Sequence, residues 1–148
     1  MKPWQAAIKR LLDILLGGLA LIISLPVMGL VALAVVLDST GPIVYGAKRV
    51  GRNGTAFTMW KFRSMARGAD RVGPAVTGAY DFRVTRVGAF LRRTKLDELP
   101  QLLNVLAGQM SLVGPRPEAP SYVRLWTDEE RAVLTVRPGI TGPGGERQ

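Results

Sequence analysis

Residues 14–37 read ILLGGLALIISLPVMGLVALAVVL, 24 positions without a charge. At about 1.5 Å of rise per helical residue, such a run can traverse a bilayer core of roughly 30 Å. A cleaved secretory signal would carry a shorter apolar stretch ending at small residues, whereas this pattern continues past both Ser24 and Pro26. The stretch therefore predicts a membrane-embedded helix. Pro26 lies near its middle, where the ring removes one backbone hydrogen bond and crowds the carbonyl of Ile22. Ser24 is close enough in sequence to bond a freed carbonyl, so a break or kink is predicted here.

The flanks do not choose an orientation. Lys2, Lys9 and Arg10 precede the apolar run and Lys48, Arg49 and Arg52 follow it, three cations on each side. Two topologies stay open at this point: a kinked transmembrane helix, and a re-entrant helix-break-helix that returns both ends to one face. The second satisfies the charge symmetry and uses the proline. Lys9, Arg10 and Asp13 read as an interfacial start, with the cations near anionic headgroups.

Outward from this segment, the whole chain has 148 residues with 20 Lys and Arg against 11 Asp and Glu, a formal charge of +9, and neither histidine nor cysteine. Ser-His-Asp and Cys-His nucleophile systems, Cys/His zinc sites and disulfides are thereby excluded. Chemistry must come from carboxylates, Lys, Arg, hydroxyls or a borrowed metal. Residues 38–148 hold ten acids and seventeen bases with frequent turn signals. The predicted organisation is a membrane anchor over residues 1–37 and a small α/β domain over residues 38–148, mainly helical with a β-hairpin. Between Lys48 and Lys95 there are twelve bases and two acids, a local charge of +10.

Within that basic stretch, residues 43–50 and 55–62 flank Arg52-Asn53-Gly54, and Asn-Gly supplies the positive φ a tight hairpin turn needs. Alternation along the second arm places Phe57, Met59, Lys61 and Arg63 on one face and Trp60 and Phe62 on the other. Residues 64–80 read as a weakly structured loop, and residues 84–93 as a short helix with Val87, Phe90 and Leu91 as its stripe. LDELPQLLNVL, residues 96–106, has helical apolar spacing; Pro100 belongs in a first turn, which predicts a start near Asp97. A further amphipathic helix is predicted over residues 119–135.

Asp97-Glu98 is the leading chemical candidate. An acid pair at a helix start serves equally as a cap. Here it directly follows Arg92, Arg93 and Lys95, a field in which a carboxylate is expected to stay ionised and to reach a phosphorus atom whose charge the cations neutralise. Arg116, held between Pro115 and Pro117, is either a solvated turn residue or a preorganised guanidinium for bidentate phosphate binding. Lys61 and Arg63 are either a solvated strand face or a third phosphate contact. Tyr45, Phe57 and Trp60 read as core or interface aromatics. No P-loop or GxGxxG pattern is present.

Taken together, the Pro-broken apolar helix, RVGRNGTAFTMWKFRSM (49–65), DFRVTRVGAFLRRTKLDELPQLLNVLAGQMSLVGPRP (81–117) and VRPGITG (136–142) resemble the bacterial sugar transferases, also called monotopic phosphoglycosyl transferases. The likeness runs from about Arg10 to Gly142, and LDELPQLLNVL followed by SLVGPRP is its most specific part. The resemblance implies a catalytic domain on the cytoplasmic face of the bacterial inner membrane, held by a re-entrant helix whose breaking motif corresponds to Ser24 and Pro26. It implies transfer of a phospho-sugar from a UDP-sugar to polyprenyl phosphate with release of UMP, the first membrane step of surface glycan assembly. Asp97 would be the nucleophile that forms a phosphosugar-enzyme intermediate. Glu98 would assist with metal or proton handling, and Mg2+ would be held by Asp97 and Glu98. Lys61, Arg92 and Arg116 match positions of phosphate contacts, and Arg63 and Arg137 are counted with them.

Two departures from the family pattern stand out. Leu25 separates Ser24 from Pro26, where many relatives have Ser-Pro. The chain also ends soon after PGITG, where relatives continue. A homodimer is compatible with the apolar anchor and interfacial aromatics, and no nucleic-acid partner is expected. The reading from a different class is a non-catalytic basic membrane protein that binds anionic lipid or nucleic acid through the +10 stretch. Neither the sugar nor the glycan pathway is readable from these residues.

Overall fold

The computed structural model describes residues 1–73 and 81–142. Its element order is α1 (Pro3–Asp38), β1 (Val44–Val50), β2 (Ala56–Phe62), α2 (Arg86–Thr94), α3 (Gln101–Leu106), β3 (Ser111–Val113), α4 (Pro120–Val123), α5 (Asp128–Arg131) and β4 (Gly139–Thr141). Short 3-10 turns lie at Arg52–Gly54, Ala69–Arg71, Leu96–Glu98 and Ala132–Thr135. β1 pairs with β2, and β3 pairs in parallel with β4 in the register Ser111↔Gly139 and Val113↔Thr141. This is the mixed architecture of helices and small sheets expected for the chain. Part of the predicted 64–80 loop, residues 74–80, lies outside the described residues.

α1 is long and apolar enough to cross a membrane, and only 11% of its most apolar window is buried. A core helix of a soluble protein would be mostly covered, so this exposed apolar surface needs a non-aqueous neighbour. Helical assignment runs through Pro26 without interruption. The expected break is therefore not a gap in the helix: proline deletes one donor, and the turns on either side keep theirs. Ser24 Oγ lies 3.7 Å from Met28 Sδ, one turn on.

The fold divides into two compact units, and each takes half of α1. The first comprises Met1–Ile23, Gly46–Trp60 and Gln101–Gln148. Its core is Ala47, Phe57, Met59, Val105 and Met110, with Leu112 and Ile140 against it. Asn104, 1% exposed, ties α3 to β2 by accepting from Trp60 N (3.0 Å) and donating to Thr58 O (2.8 Å). Gly17 lets α1 approach closely, since a Cβ there would sit 3.3 Å from Val105 Cγ1.

The Lys9–Asp13 turn docks on the same unit. Asp13, 5% exposed, accepts from Ser111 Oγ (2.8 Å), Leu112 N (3.1 Å) and Lys9 Nζ (3.3 Å). Lys9 Nζ also contacts Ser111 Oγ. Arg10 donates to Val105 O (2.6 Å) and Leu106 O (3.0 Å) at the end of α3, where Val105 O also accepts from Gly108 N (3.1 Å). These three residues, read as an interfacial start with the two cations at headgroups, fasten the helix to the protein, because a buried carboxylate is better satisfied by fixed donors than by solvent.

The second unit comprises Ser24–Tyr45 and Lys61–Pro100. Val31 and Val35 of α1 bury against Phe62 and Leu91, with Met28, Ala32, Val87, Leu96 and Leu99 alongside. Thr85 caps α2 by accepting from Gly88 N, and Gly88 is required because a Cβ there would collide with Ser64 O.

Two expected helices are divided. The Leu96–Leu106 helix begins only at Gln101, with Asp97 and Glu98 in the preceding 3-10 turn. Pro100 cannot donate to Leu96, so the first hydrogen-bonded turn closes ahead of it, Leu99 N to Leu96 O, and the α-helix starts after it. The 119–135 segment breaks at Thr127, which takes an extended backbone (φ −68°, ψ 166°) and forms a capping box with Glu130.

Candidate active site

The dyad sits where α2 ends. Lys95 takes a left-handed conformation (φ 62°), which stops the helix and turns the chain directly into Leu96–Glu98. That turn sends Asp97 inward, to 6% exposure, and leaves its Oδ1 buried without a hydrogen-bond partner among the described residues. A pure cap would have its oxygen on an amide, so this orphan acceptor separates Asp97 from the capping role.

Cations ring the dyad. Lys61, near the end of β2, donates from Nζ to Glu98 Oε1 at 3.2 Å, both side chains being largely buried. Arg92, on the last turn of α2, is held by its Nε on Ser64 Oγ (2.8 Å). Burial pushes the Asp97 carboxyl above its ordinary value and Glu98 adds to this, while Lys61, Arg92 and Lys95 pull the other way. The basic field alone predicts a carboxylate held ionised; desolvation by burial outweighs it. Burial likewise lowers Arg92, with Asp97 and Asp81 opposing. Arg83 is committed elsewhere: it clasps Asp81, holding that carboxyl down at about 2, and donates to Ala69 O.

The other predicted contacts lie in different settings. Arg63 does not share an open face with Lys61. It is buried, 7% exposed, and its guanidinium donates to Thr40 O (3.0 Å), Ser39 O (2.5 Å) and Ser39 Oγ (2.9 Å) just beyond the end of α1. It lies just past the end of β2, where strand alternation no longer governs it, and its partners include carbonyls beyond a helix terminus. Arg116 and Arg137 belong to the first unit. Arg116 is exposed at a small cavity also lined by Val50, Trp126 and Pro138. Arg137 donates from Nε to Gly108 O (2.8 Å), and burial lowers its pKa, with Arg10 and Arg52 contributing. Sequence reasoning missed Ser64 as the holder of Arg92, and nothing about an isolated serine in a loop would have revealed it. It also missed Asn104, because apolar spacing points to 102, 103 and 106 as the inner face whereas α3 buries Gln101, Leu102, Asn104 and Val105.

Residues 4–145 match the bacterial sugar transferase family. The chain belongs to that family. An Escherichia coli relative named UDP-glucose:undecaprenyl-phosphate glucose-1-phosphate transferase is 46% identical over 139 residues, covering 91% of this chain and 30% of its own length. One from Aeromonas hydrophila, named UDP-N-acetylgalactosamine-undecaprenyl-phosphate N-acetylgalactosaminephosphotransferase, is 41% identical and is covered to 34% of its length. A Bacillus subtilis relative, provisionally named an undecaprenyl-phosphate N-acetylgalactosaminyl 1-phosphate transferase, is 45% identical over 83% of this chain and 69% of its own. This bacterial sugar transferase thus spans about a third of the first two relatives and over two thirds of the third.

Proposed function

We propose that the chain transfers a phospho-sugar from a UDP-sugar to a polyprenyl phosphate, releasing UMP, with Asp97 as the nucleophile. The observation that carries this is the buried, unpartnered Oδ1 of Asp97 beside a lysine-held Glu98 and the clamped Arg92. An ionised Oδ1 attacks the β-phosphorus, the bond to the UMP oxygen breaks, and UMP leaves with the electron pair. An oxygen of the lipid phosphate then attacks the same phosphorus and expels the Asp97 carboxylate, giving the polyprenyl-diphosphate-sugar. Lys61 and Arg92 neutralise charge on the transferring phosphoryl group, and Glu98, fixed by Lys61, is placed beside the reacting carboxylate. The names of the relatives support acceptor and reaction class alike.

Mg2+ fits the dyad as two hard oxygen donors, one of them unpartnered. The described residues hold no cluster of three or more metal-ligating side chains, so Asp97 and Glu98 would share the ion with diphosphate oxygens and water. Bound there, it would supply neutralisation of the departing phosphate. A non-catalytic basic binder is disfavoured, since a carboxylate buried with an empty lone pair weakens anion binding.

For topology we infer a re-entrant α1 with the catalytic residues on the cytoplasmic face of the inner membrane. Support comes from the contacts of the helix: residues 10–17 pack on residues 105–112, and residues 28–35 pack on Phe62 and Leu91. A crossing helix would require the chain after residue 38 to return through the bilayer. Among the described residues no second helix is long and apolar enough. Because α1 is helical through Pro26, the return would be a bend rather than a gap. Tags at Met1 and Gln148 should be accessible from the same face; opposite faces would exclude the re-entrant path. For the reaction, UMP release from a panel of UDP-sugars with undecaprenyl phosphate and Mg2+ should be abolished by Asp97→Asn. Equal release by both proteins would sink the nucleophile assignment.

A further inference from the structure

We infer that Ser64 is a positioning residue whose hydroxyl holds the Arg92 guanidinium off the Asp97 carboxylate and keeps it available to the transferring phosphoryl group. This deepens the reaction proposed above and rests on it. Ser64 lies two residues past the end of β2 and meets α2 at two levels. Its carbonyl accepts from the backbone N–H of Thr85 (3.1 Å), the residue that caps α2, and its main chain passes so near Gly88 that no side chain fits there. Its Oγ accepts from Arg92 Nε (2.8 Å), one turn further along the helix. Gly88 and Arg92 stand four residues apart on one helix face, and helical side chains lean back toward the N-terminus. The bare surface at Gly88 thus admits Ser64 and leaves the lane along which the Arg92 side chain reaches it.

Arg92 has a competing partner. Of the two carboxylates whose charge it feels, Asp97 acts more strongly than Asp81, and Asp81 is already clasped by Arg83. Around Asp97 the other charged groups are Lys61, Glu98 and Lys95, and Lys61 is engaged on Glu98. Among the described residues Asp97 nevertheless forms no ion pair, and its Oδ1 has no donor. An arginine with its whole fork at liberty grips an open carboxylate with two parallel bonds. Such a pair would cover the lone pairs of the nucleophile and use up the guanidinium in the same contact. The Ser64 hydroxyl engages Nε and so withholds one edge of that fork, while the two Nη groups, without a hydrogen-bond partner among the described residues, are left for an incoming oxyanion. Fastening α2 does not need the hydroxyl, since the Thr85 and Gly88 contacts use the main chain of Ser64, which alanine keeps.

Ser64→Ala, Ser64→Thr, Arg92→Met and the double variant Ser64→Ala/Arg92→Met, each full-length, are compared by single-turnover UMP release without acceptor, with the panel UDP-sugar on which the native chain acts fastest and Asp97→Asn as the blank. Ser64→Ala should slow release by about tenfold, and Ser64→Thr, which keeps the hydroxyl, should stay close to the native rate. In the Arg92→Met background, Ser64→Ala should cost nothing more. Losses that multiply in the double variant would make Ser64 act independently of Arg92 and overturn the inference. A native rate in Ser64→Ala while Asp97→Asn is silent would do the same, as would equal losses in the alanine and threonine variants. A thermal melt of Ser64→Ala should match the native chain; one far below it would make the hydroxyl a fold contact and overturn the positioning role. UMP release that survives Asp97→Asn would overturn the reaction assignment itself, and this inference with it.

Discussion

Asp13 and Asp97 are buried to nearly the same degree, 5% and 6% exposed, yet their surroundings are opposite. Asp13 is met by a serine hydroxyl, a backbone amide and a lysine. Asp97 keeps one oxygen without a donor among the described residues and is served by cations at a distance. A buried carboxylate with its hydrogen bonds filled holds structure together; one left short is a cost that folding tolerates only where a ligand or reaction completes the set. The difference lies in the neighbours, a β-strand and a lysine one turn away for Asp13, a helix end and ringed cations for Asp97.

The contrast breaks most visibly if Asp97 is dispensable. Incubated with the correct UDP-sugar and no acceptor, the native chain should gain the mass of one phosphosugar by intact mass spectrometry. Asp97→Asn should not, with turnover down by roughly 10⁴-fold or more. Next in size is the lysine clamp: Lys61→Met should lower kcat by about 10²-fold, measured as UMP release, because the charge facing the phosphoryl group is gone and Glu98 is no longer held. At Asp13 the loss is structural. Asp13→Leu leaves Ser111 Oγ and Leu112 N without their acceptor, a cost of about 1–3 kcal/mol that a thermal melt in detergent reads.

The smallest effect carries the sharpest sign. Burial raises the Asp97 carboxyl, so the folded chain holds that proton more tightly than the unfolded chain does. The resulting stability is complete below the ordinary carboxylate range and is lost as pH rises through the raised folded value. Asp97→Asn should therefore melt higher than the native chain at pH 8, the gap closing on acidification. A mutant that melts lower at pH 8 would place Asp97 with Asp13. The acid limb of kcat/KM should likewise lie above the ordinary carboxylate range of about 4.

Much of this was legible from local chemistry. The uncharged run announced α1, Asn-Gly announced the hairpin with Asn53 and Gly54 at positive φ, and the acid pair next to a basic stretch announced the dyad. What stayed hidden depends on contacts distant in sequence. Alternation placed Arg63 beside Lys61 but could not reveal that loop carbonyls beyond α1 wait for it. Lys9 and Arg10 looked like headgroup ligands because residues 105–112, nearly a hundred positions away, do not figure in a local pattern. The split at Thr127 has a local signature, since Thr-Asp-Glu-Glu is a capping box that starts a new helix inside the apolar spacing of residues 119–135.

The parallel pair β3 and β4 flanks the turn that carries Arg116. There Gly114, Gly139 and Gly142 lie with backbone against backbone, and a side chain on any one would collide with main-chain atoms of another part of the turn. No rotamer change relieves such a collision, because main chain cannot step aside as a side chain does. In a saturation library selected for new donor sugars, these three positions should return glycine alone. The backbone that carries Arg116 is thus set by main-chain packing, and evolvability at this corner is withheld from all three glycines.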